Sequence, residues 1–229
     1  LTCPVQILSG PTQTLTGPVK IFTGLVKILT QNLFPHPGGG QRQVWSTHMK
    51  IKLILWEIGS FIWVVLAGSA LHFSFELSEF WTPLAFISAV NESVWEHLKM
   101  YFWPGLIFAL VQYTYTRDVA NNYWYAKLAS LIVTPLGIIF SFYGYLAISL
   151  PLYGQGFFVM DLMTMVVGLV LASIVSYKIM VKPPMKRPQK KNILTGYLIM
   201  TAMFSTFTFF PPKIFLFENY FGYEYSGDY

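Results

Sequence analysis

From residue 51 onward the chain alternates between long apolar segments and short polar connections. Five apolar segments approach or exceed the roughly 20 residues that a helix needs to cross about 30 Å of hydrocarbon. None of them has the two-residue alternation of a barrel strand, and a helix satisfies its own backbone groups within lipid. The pattern predicts an all-α integral membrane bundle of about five transmembrane helices, at approximately Ile51–Phe73, Glu92–Tyr115, Trp124–Leu150, Phe157–Val181 and Asn192–Phe210.

Lysine and arginine residues gather in every second connection. They precede the first apolar segment, flank the connection after the second and crowd the connection after the fourth, whereas residues 74–90 and 151–156 contain none. Because cytoplasmic loops carry the excess of basic residues, this alternation predicts the N-terminus inside and the C-terminus outside. We therefore expect a multi-pass protein of the cell membrane.

The composition agrees with a bilayer environment. Charged residues make up 11% of the chain and hydrophobic residues 54%, whereas soluble domains carry about 25% charged residues. A single cysteine excludes a disulfide framework, and no Cys/His spacing resembles a structural zinc site. The formal net charge is +5, but the basic residues lie in connections between apolar segments. This placement indicates membrane topology and predicts no nucleic-acid partner.

Residues 1–48 differ from the rest of the chain. Four imperfect heptapeptides run from Val5 to Asn32, and a Pro/Gly-rich stretch, Pro35–Gly40, follows them. Glycine and proline recur inside the repeats, so a continuous coiled-coil helix is excluded. We interpret residues 1–48 as a repetitive leader, disordered or preceding the true start at Met49, and residues 49–229 as the helical membrane domain. A short adhesive or regulatory arm is the alternative interpretation.

Ionisable residues concentrate at the predicted outer ends of the helices. The stretch Asn91–Lys99 holds two carboxylates, an imidazole, an amide and an ammonium in nine residues, and ionisable groups at a membrane tend to mark function. On the predicted topology, the end of the first span and the start of the fourth bring further groups to the same depth. The resulting candidate polar site comprises His72, Asn91, Glu92, Glu96, His97, Lys99 and Asp161.

Helical periodicity divides this stretch into two faces. At 100° per residue, Glu92, Glu96 and Lys99 share one stripe, while His97 lies about 140° from Glu92. One helix would then be unable to bring Glu92 and His97 to the same ion. No metal is assigned, but a metal site would use His97 with ligands from other helices, and the candidates are His72, Glu76 and Asp161.

Most of these residues also have a purely structural interpretation. Asn91 and Glu92 suit the start of a helix as N-cap and first-turn carboxylate, Glu96 and Lys99 suit an ion pair, and His72 suits a headgroup environment. Glu57, near the inner leaflet, and Asp161 differ, because a carboxylate inside a span must be paired, hydrated or protonated.

His97 and Asp161 are expected to face one shared polar pocket at the outer leaflet, with His72 at its rim. A buried neutral imidazole needs an acceptor for its N–H group, and Asp161 is the carboxylate inside a neighbouring span that could provide one. The pocket would hold either a hydrogen-bonded pair or a metal ion.

Several sequence elements together resemble a known family. They are the NESVWEHLK motif at residues 91–99, the opening KLILWE at 52–57, the Leu71-His72-Phe73 end of the first span and a late Phe-Pro-Pro segment. They resemble a group of small prokaryotic multi-pass membrane proteins that form a domain of unknown function. The resemblance covers roughly Met49 to Tyr223. It implies that the characteristic positions are Glu57, His72, Asn91, Glu92, Trp95, Glu96, His97 and Asp161, and it implies no activity.

Three functional hypotheses follow. The first is a membrane protein whose outer polar site binds or moves a small polar ligand, a lipid headgroup or a proton. The second is a membrane-embedded metal-dependent hydrolase acting on lipid, although no HExxH or GxSxG motif is present. The third is an accessory subunit of a membrane complex. The sequence names no cofactor and does not decide whether the protein is an enzyme.

Overall fold

The computed structural model describes residues 47–185 and 190–218. Residues 1–46 of the predicted leader lie outside this range, so its interpretation stays a prediction. The described residues form five α-helices and two short 3₁₀ turns and contain no strand, which confirms the all-α prediction. The helices are α1 (Thr47–Leu77), α2 (Val94–Thr116), α3 (Tyr123–Tyr153), α4 (Phe158–Met180) and α5 (Lys190–Thr206), and the 3₁₀ turns are Thr82–Phe86 and Phe215–Phe217.

Three helices, α1, α3 and α4, are long and apolar enough to cross a membrane. Most of their residues are not buried inside the protein, and exposed apolar side chains such as Leu66 and Phe140 cover their outer faces. A surface of this kind is unfavourable in water and favourable in lipid. These helices indicate a membrane protein.

Helix α2 differs because it is the most enclosed of the five. Eleven of its residues are buried, including Glu96, Lys99 and Gln112. Because these polar side chains lie inside the bundle, hydropathy alone does not mark α2 as a span although it has 23 residues. Helix α5 has 17 residues, which corresponds to a length of about 25 Å. A count of five spans therefore stays a prediction.

Aromatic rings join the start of α2 to the C-terminal part of the chain. Trp95 stacks on Phe204 of α5 and on Phe217, with ring centroids 4.7 and 4.8 Å apart. Phe102 also stacks on Phe204, with ring centroids 4.7 Å apart. Such pairs add stability beyond the area they bury. This packing holds the polar stretch 91–99 against the C-terminal end of α5 and the turn at Phe217.

Helices α3 and α4 approach each other through glycine. A Cβ atom added to Gly137 would lie 2.9 Å from the Cα atom of Gly168. A Cβ atom on Gly168 would lie 2.8 Å from the carbonyl oxygen of Thr134. Small residues at such a crossing let two backbones come close, as is common between membrane helices.

Candidate metal centre

The start of α2 decides the geometry of the polar stretch. Ser93 is the N-cap, and its hydroxyl oxygen accepts a hydrogen bond from the backbone N–H of Glu96 at 3.4 Å. The side-chain oxygen of Asn91 accepts a hydrogen bond from the backbone N–H of Ser93 at 3.0 Å. The prediction of Asn91 as N-cap is therefore wrong. Asn91 instead forms the turn that leads into the helix.

Glu92 consequently precedes the helix and does not follow its periodicity. Its Oε2 atom lies 3.4 Å from Nε2 of His97. The prediction that one helix cannot bring Glu92 and His97 to the same ion is wrong, because it assumed a helical position for Glu92. The predicted stripe of Glu92, Glu96 and Lys99 fails for the same reason: Glu92 is largely exposed, and the other two are buried.

His72, in the last two turns of α1, completes a group of three. Its Nε2 atom lies 4.0 Å from Oε1 of Glu92, and its ring centroid is 5.3 Å from that of His97. One ligand atom from each of His72, Glu92 and His97 falls within 4.8 Å of the others. Two histidines and a carboxylate, from the end of α1 and the start of α2, are thus brought together.

The hydrogen bond of His97 fixes which ring nitrogen faces this point. Nδ1 of His97 lies 2.9 Å from the carbonyl oxygen of Ser93. A carbonyl oxygen only accepts, so Nδ1 carries the proton and donates it. In the neutral ring, Nε2 then presents a lone pair toward the Glu92 carboxylate. Two acceptors facing each other at 3.4 Å require a proton or a cation between them.

The three side chains differ in exposure. The His72 and His97 side chains are 28% and 22% exposed, whereas that of Glu92 is 64% exposed. The site is therefore open on the side of Glu92 and more enclosed on the side of the imidazoles. Nδ1 of His72 is buried without a hydrogen-bond partner among the described residues, so its proton and its orientation are not yet fixed by a neighbour.

Glu96 and Lys99 form a separate, fully buried network. Nζ of Lys99 lies 2.5 Å from Oε2 of Glu96 and donates to the carbonyl oxygen of Ala85 at 2.7 Å and to the Thr208 hydroxyl at 2.8 Å. The Thr208 hydroxyl donates to Oε1 of Glu96 at 2.7 Å. All three ammonium protons are used. This network connects α2 to two other segments, and the predicted ion pair is confirmed at a buried position.

Asp161 lies in the first turn of α4 and has another partner. Its Oδ1 atom accepts a hydrogen bond from the hydroxyl of Tyr145 on α3. It does not belong to the group of three among the described residues, and Glu76, which is exposed near the end of α1, does not either. A pocket shared by His97 and Asp161 stays a prediction.

Glu57 occupies the interior of the bundle. Its Oε1 atom lies 2.5 Å from Nζ of Lys127 and accepts hydrogen bonds from Gln112 at 3.1 Å and Ser176 at 3.2 Å. The four side chains come from α1, α2, α3 and α4. We expected this carboxylate to be paired, hydrated or protonated, and it is paired with Lys127. Lys127, which the loop pattern places at a connection, is buried within α3.

Sequence reasoning missed Lys127, Gln112, Ser176 and Thr208 as partners. Each lies more than 50 residues from the charged group it contacts. No local spacing links such positions. The one available signal was the presence of Gln112 and Lys127 within predicted apolar segments, where an uncompensated polar group would be costly.

The chain matches a known protein family. The model of a family of unknown function, DUF6512, matches residues 45–227. The chain belongs to this family. The predicted resemblance to a family of unknown function is thereby confirmed, and the DUF6512 match includes His72, Glu92 and His97. Comparison with the curated proteins and with the solved structures gives no match.

Proposed function

We propose that this DUF6512 protein is a multi-pass membrane protein that binds a divalent transition-metal ion through His72, Glu92 and His97. The proposal is carried by one observation. Nε2 of His97 faces a carboxylate oxygen of Glu92 at 3.4 Å, while Nδ1–H of the same ring donates a hydrogen bond to the Ser93 carbonyl oxygen. While the imidazole is neutral, a metal ion would replace the contact of these two acceptors with two coordinate bonds.

The donor set favours zinc and its neighbours in the transition series. Imidazole nitrogens and a carboxylate suit zinc, copper, iron and nickel, whereas calcium and magnesium prefer oxygen ligands. The backbone hydrogen bond on His97 supports this role, because ligating imidazoles usually donate their other N–H to a fixed acceptor. Three protein ligands leave at least one position for water or a ligand. The exposed side of Glu92 is where that ligand would enter.

Titration calorimetry with zinc tests this proposal on the detergent-purified chain. We expect one ion per chain, and we expect His97→Ala to weaken binding by about a hundredfold or more, since losing even a supporting group around a metal costs 10–100-fold. His72→Ala and Glu92→Gln should weaken binding in the same direction.

Two control variants separate this site from adventitious binding. His48→Ala removes an exposed histidine, and Glu76→Gln removes an exposed carboxylate on α1; neither belongs to the group of three. Both should leave zinc affinity unchanged. Unaltered affinity in His97→Ala, or an equal loss in His48→Ala, would contradict the proposal.

The remaining functional hypotheses have less support. A lipid hydrolase would need a general base beside the metal, and the group of three supplies only ligands. An accessory subunit would need a partner surface. The geometry favours the binding of an ion at an open site. The outward orientation of this site is proposed from the distribution of the basic residues.

A further inference from the structure

A groove of about 480 Å³ runs between α1 and α4 on the outer face of the bundle. Its wall is apolar and includes Ile54, Ile58 and Phe61 of α1 with Val170 and Ile174 of α4. Both helices are long and apolar enough to cross a membrane, so the groove faces the hydrocarbon. Its volume is in the range of sites that hold small organic ligands.

Glu57 borders the groove, but its charge is turned away from it. The carboxylate is occupied by Lys127, Gln112 and Ser176 inside the bundle, and the residue is 5% exposed. Apart from Lys178 at one end, the lining therefore offers no uncompensated charge. The stretch between Ile54 and Val170 favours an apolar occupant.

One end of the groove carries unpaired positive charge. Lys178 lines the groove and is exposed, and Lys50 lies one turn before Ile54 on the same face of α1. Neither lysine has an ion-pair partner among the described residues, whereas Lys52 pairs with Asp118 at 3.4 Å. Because α1 and α4 run antiparallel, with Glu57 beside Ser176, Lys50 and Lys178 lie toward the same end of the groove.

We propose that this groove binds an anionic phospholipid, with an acyl chain along the apolar wall and its phosphate near Lys178 and Lys50. Lysine stems commonly pack on apolar surface while the ammonium extends to the headgroup region, and each basic residue there attracts anionic lipid. A second copy of this chain fits less well, because a twofold interface would bring these lysines against their own copies. The inference does not depend on the metal site.

Native mass spectrometry of the full chain tests the proposal with phosphatidylglycerol and phosphatidylcholine of identical acyl chains. We expect tighter binding of phosphatidylglycerol. The double variant Lys50→Gln/Lys178→Gln should weaken phosphatidylglycerol binding about thirtyfold, since each lysine contributes about fivefold, and should leave phosphatidylcholine binding nearly unchanged.

A groove-filling variant tests the position of the acyl chain. Val170→Trp should weaken the binding of both lipids although both lysines remain. Lys191→Gln, an exposed lysine of α5 outside the groove, serves as the charge control and should have no effect.

Four outcomes would overturn the proposal. Equal affinity for the two lipids, or an equal loss in Lys191→Gln, would remove the role of Lys50 and Lys178. Undiminished phosphatidylglycerol binding in Val170→Trp, with displacement by inorganic phosphate, would show a headgroup site without the groove. A dimer that dissociates in Val170→Trp would make the occupant a second copy of the chain.

Discussion

At the residue scale, the position of one helix start determines what the polar stretch can do. Because Ser93 and not Asn91 caps α2, Glu92 is released from the helical repeat and reaches His97. The helix begins at Val94, and within it the side chain of Glu96 points into the bundle and pairs with Lys99. Neighbouring carboxylates in the sequence therefore have different roles: the first faces an open site, and the second satisfies a buried ammonium.

The buried pair of Glu57 and Lys127 gives a prediction about stability. Glu57→Leu alone should destabilise the folded protein by about 3–5 kcal/mol, because it leaves the Lys127 ammonium uncompensated inside the bundle. Adding Lys127→Met should recover most of this loss, since two apolar side chains replace the pair. Thermal unfolding in detergent measures the two single variants, Glu57→Leu and Lys127→Met, and the double variant. A double variant as unstable as the sum of the single ones would argue against a direct interaction.

Thr208 offers an isosteric test of the second buried network. Thr208→Val removes the hydroxyl that bridges Lys99 and Glu96, and it should cost about 1–3 kcal/mol, the range for an unsatisfied buried polar group. Thr206→Val is the matched control, because Thr206 is exposed and its hydroxyl donates to the carbonyl of Ala202 in its own helix. Equal melting temperatures for the two variants would show that the network contributes little.

At the element scale, hydropathy predicted the helices well and their contacts poorly. The predicted segment Phe157–Val181 coincides with α4 to within one residue at each end. The start of α2 was missed because Asn91, Glu92 and Ser93 all suit a helix N-terminus, and local preferences do not choose among them. The choice follows from the turn made by Asn91 and from burial of Glu96.

The close approach of α3 and α4 predicts a sharp difference between two glycines. Gly168→Ala should cost about 1–3 kcal/mol, because the added methyl would lie 2.8 Å from the Thr134 carbonyl oxygen and would force the helices apart. Gly144→Ala should be neutral or stabilising, since nothing lies within 4 Å of its added Cβ and alanine favours the helix. Melting temperatures of the two variants test this difference. An equal loss of stability in both variants would contradict the close packing at Gly168.

At the scale of the whole molecule, the sequence supports the all-α class and the presence of membrane-crossing helices. It did not reveal how the helices surround α2, because the partners of Glu57 and Lys99 come from distant segments. The same long-range packing brings His72 from α1 to Glu92 and His97. Sequence patterns identified all three residues as candidates but placed Glu92 on the wrong face.

The alternation of basic residues predicts the orientation in the membrane. A reporter fused after Tyr229 should be found outside the cell, and one inserted between Lys182 and Lys191 should be cytoplasmic. Cysteine accessibility in intact cells provides an independent readout at the same two positions. The reverse result at both positions would place the His72–Glu92–His97 group on the cytoplasmic side.

The most direct test of the metal site is an anomalous difference map from crystals of the zinc-loaded protein, recorded at the zinc absorption edge. We predict one peak per chain, about 2.0–2.2 Å from a ring nitrogen of His72, a ring nitrogen of His97 and a carboxylate oxygen of Glu92. A peak at other residues, such as His48 or Asp161, or no peak at saturating zinc, would contradict the assignment of this group as a metal centre.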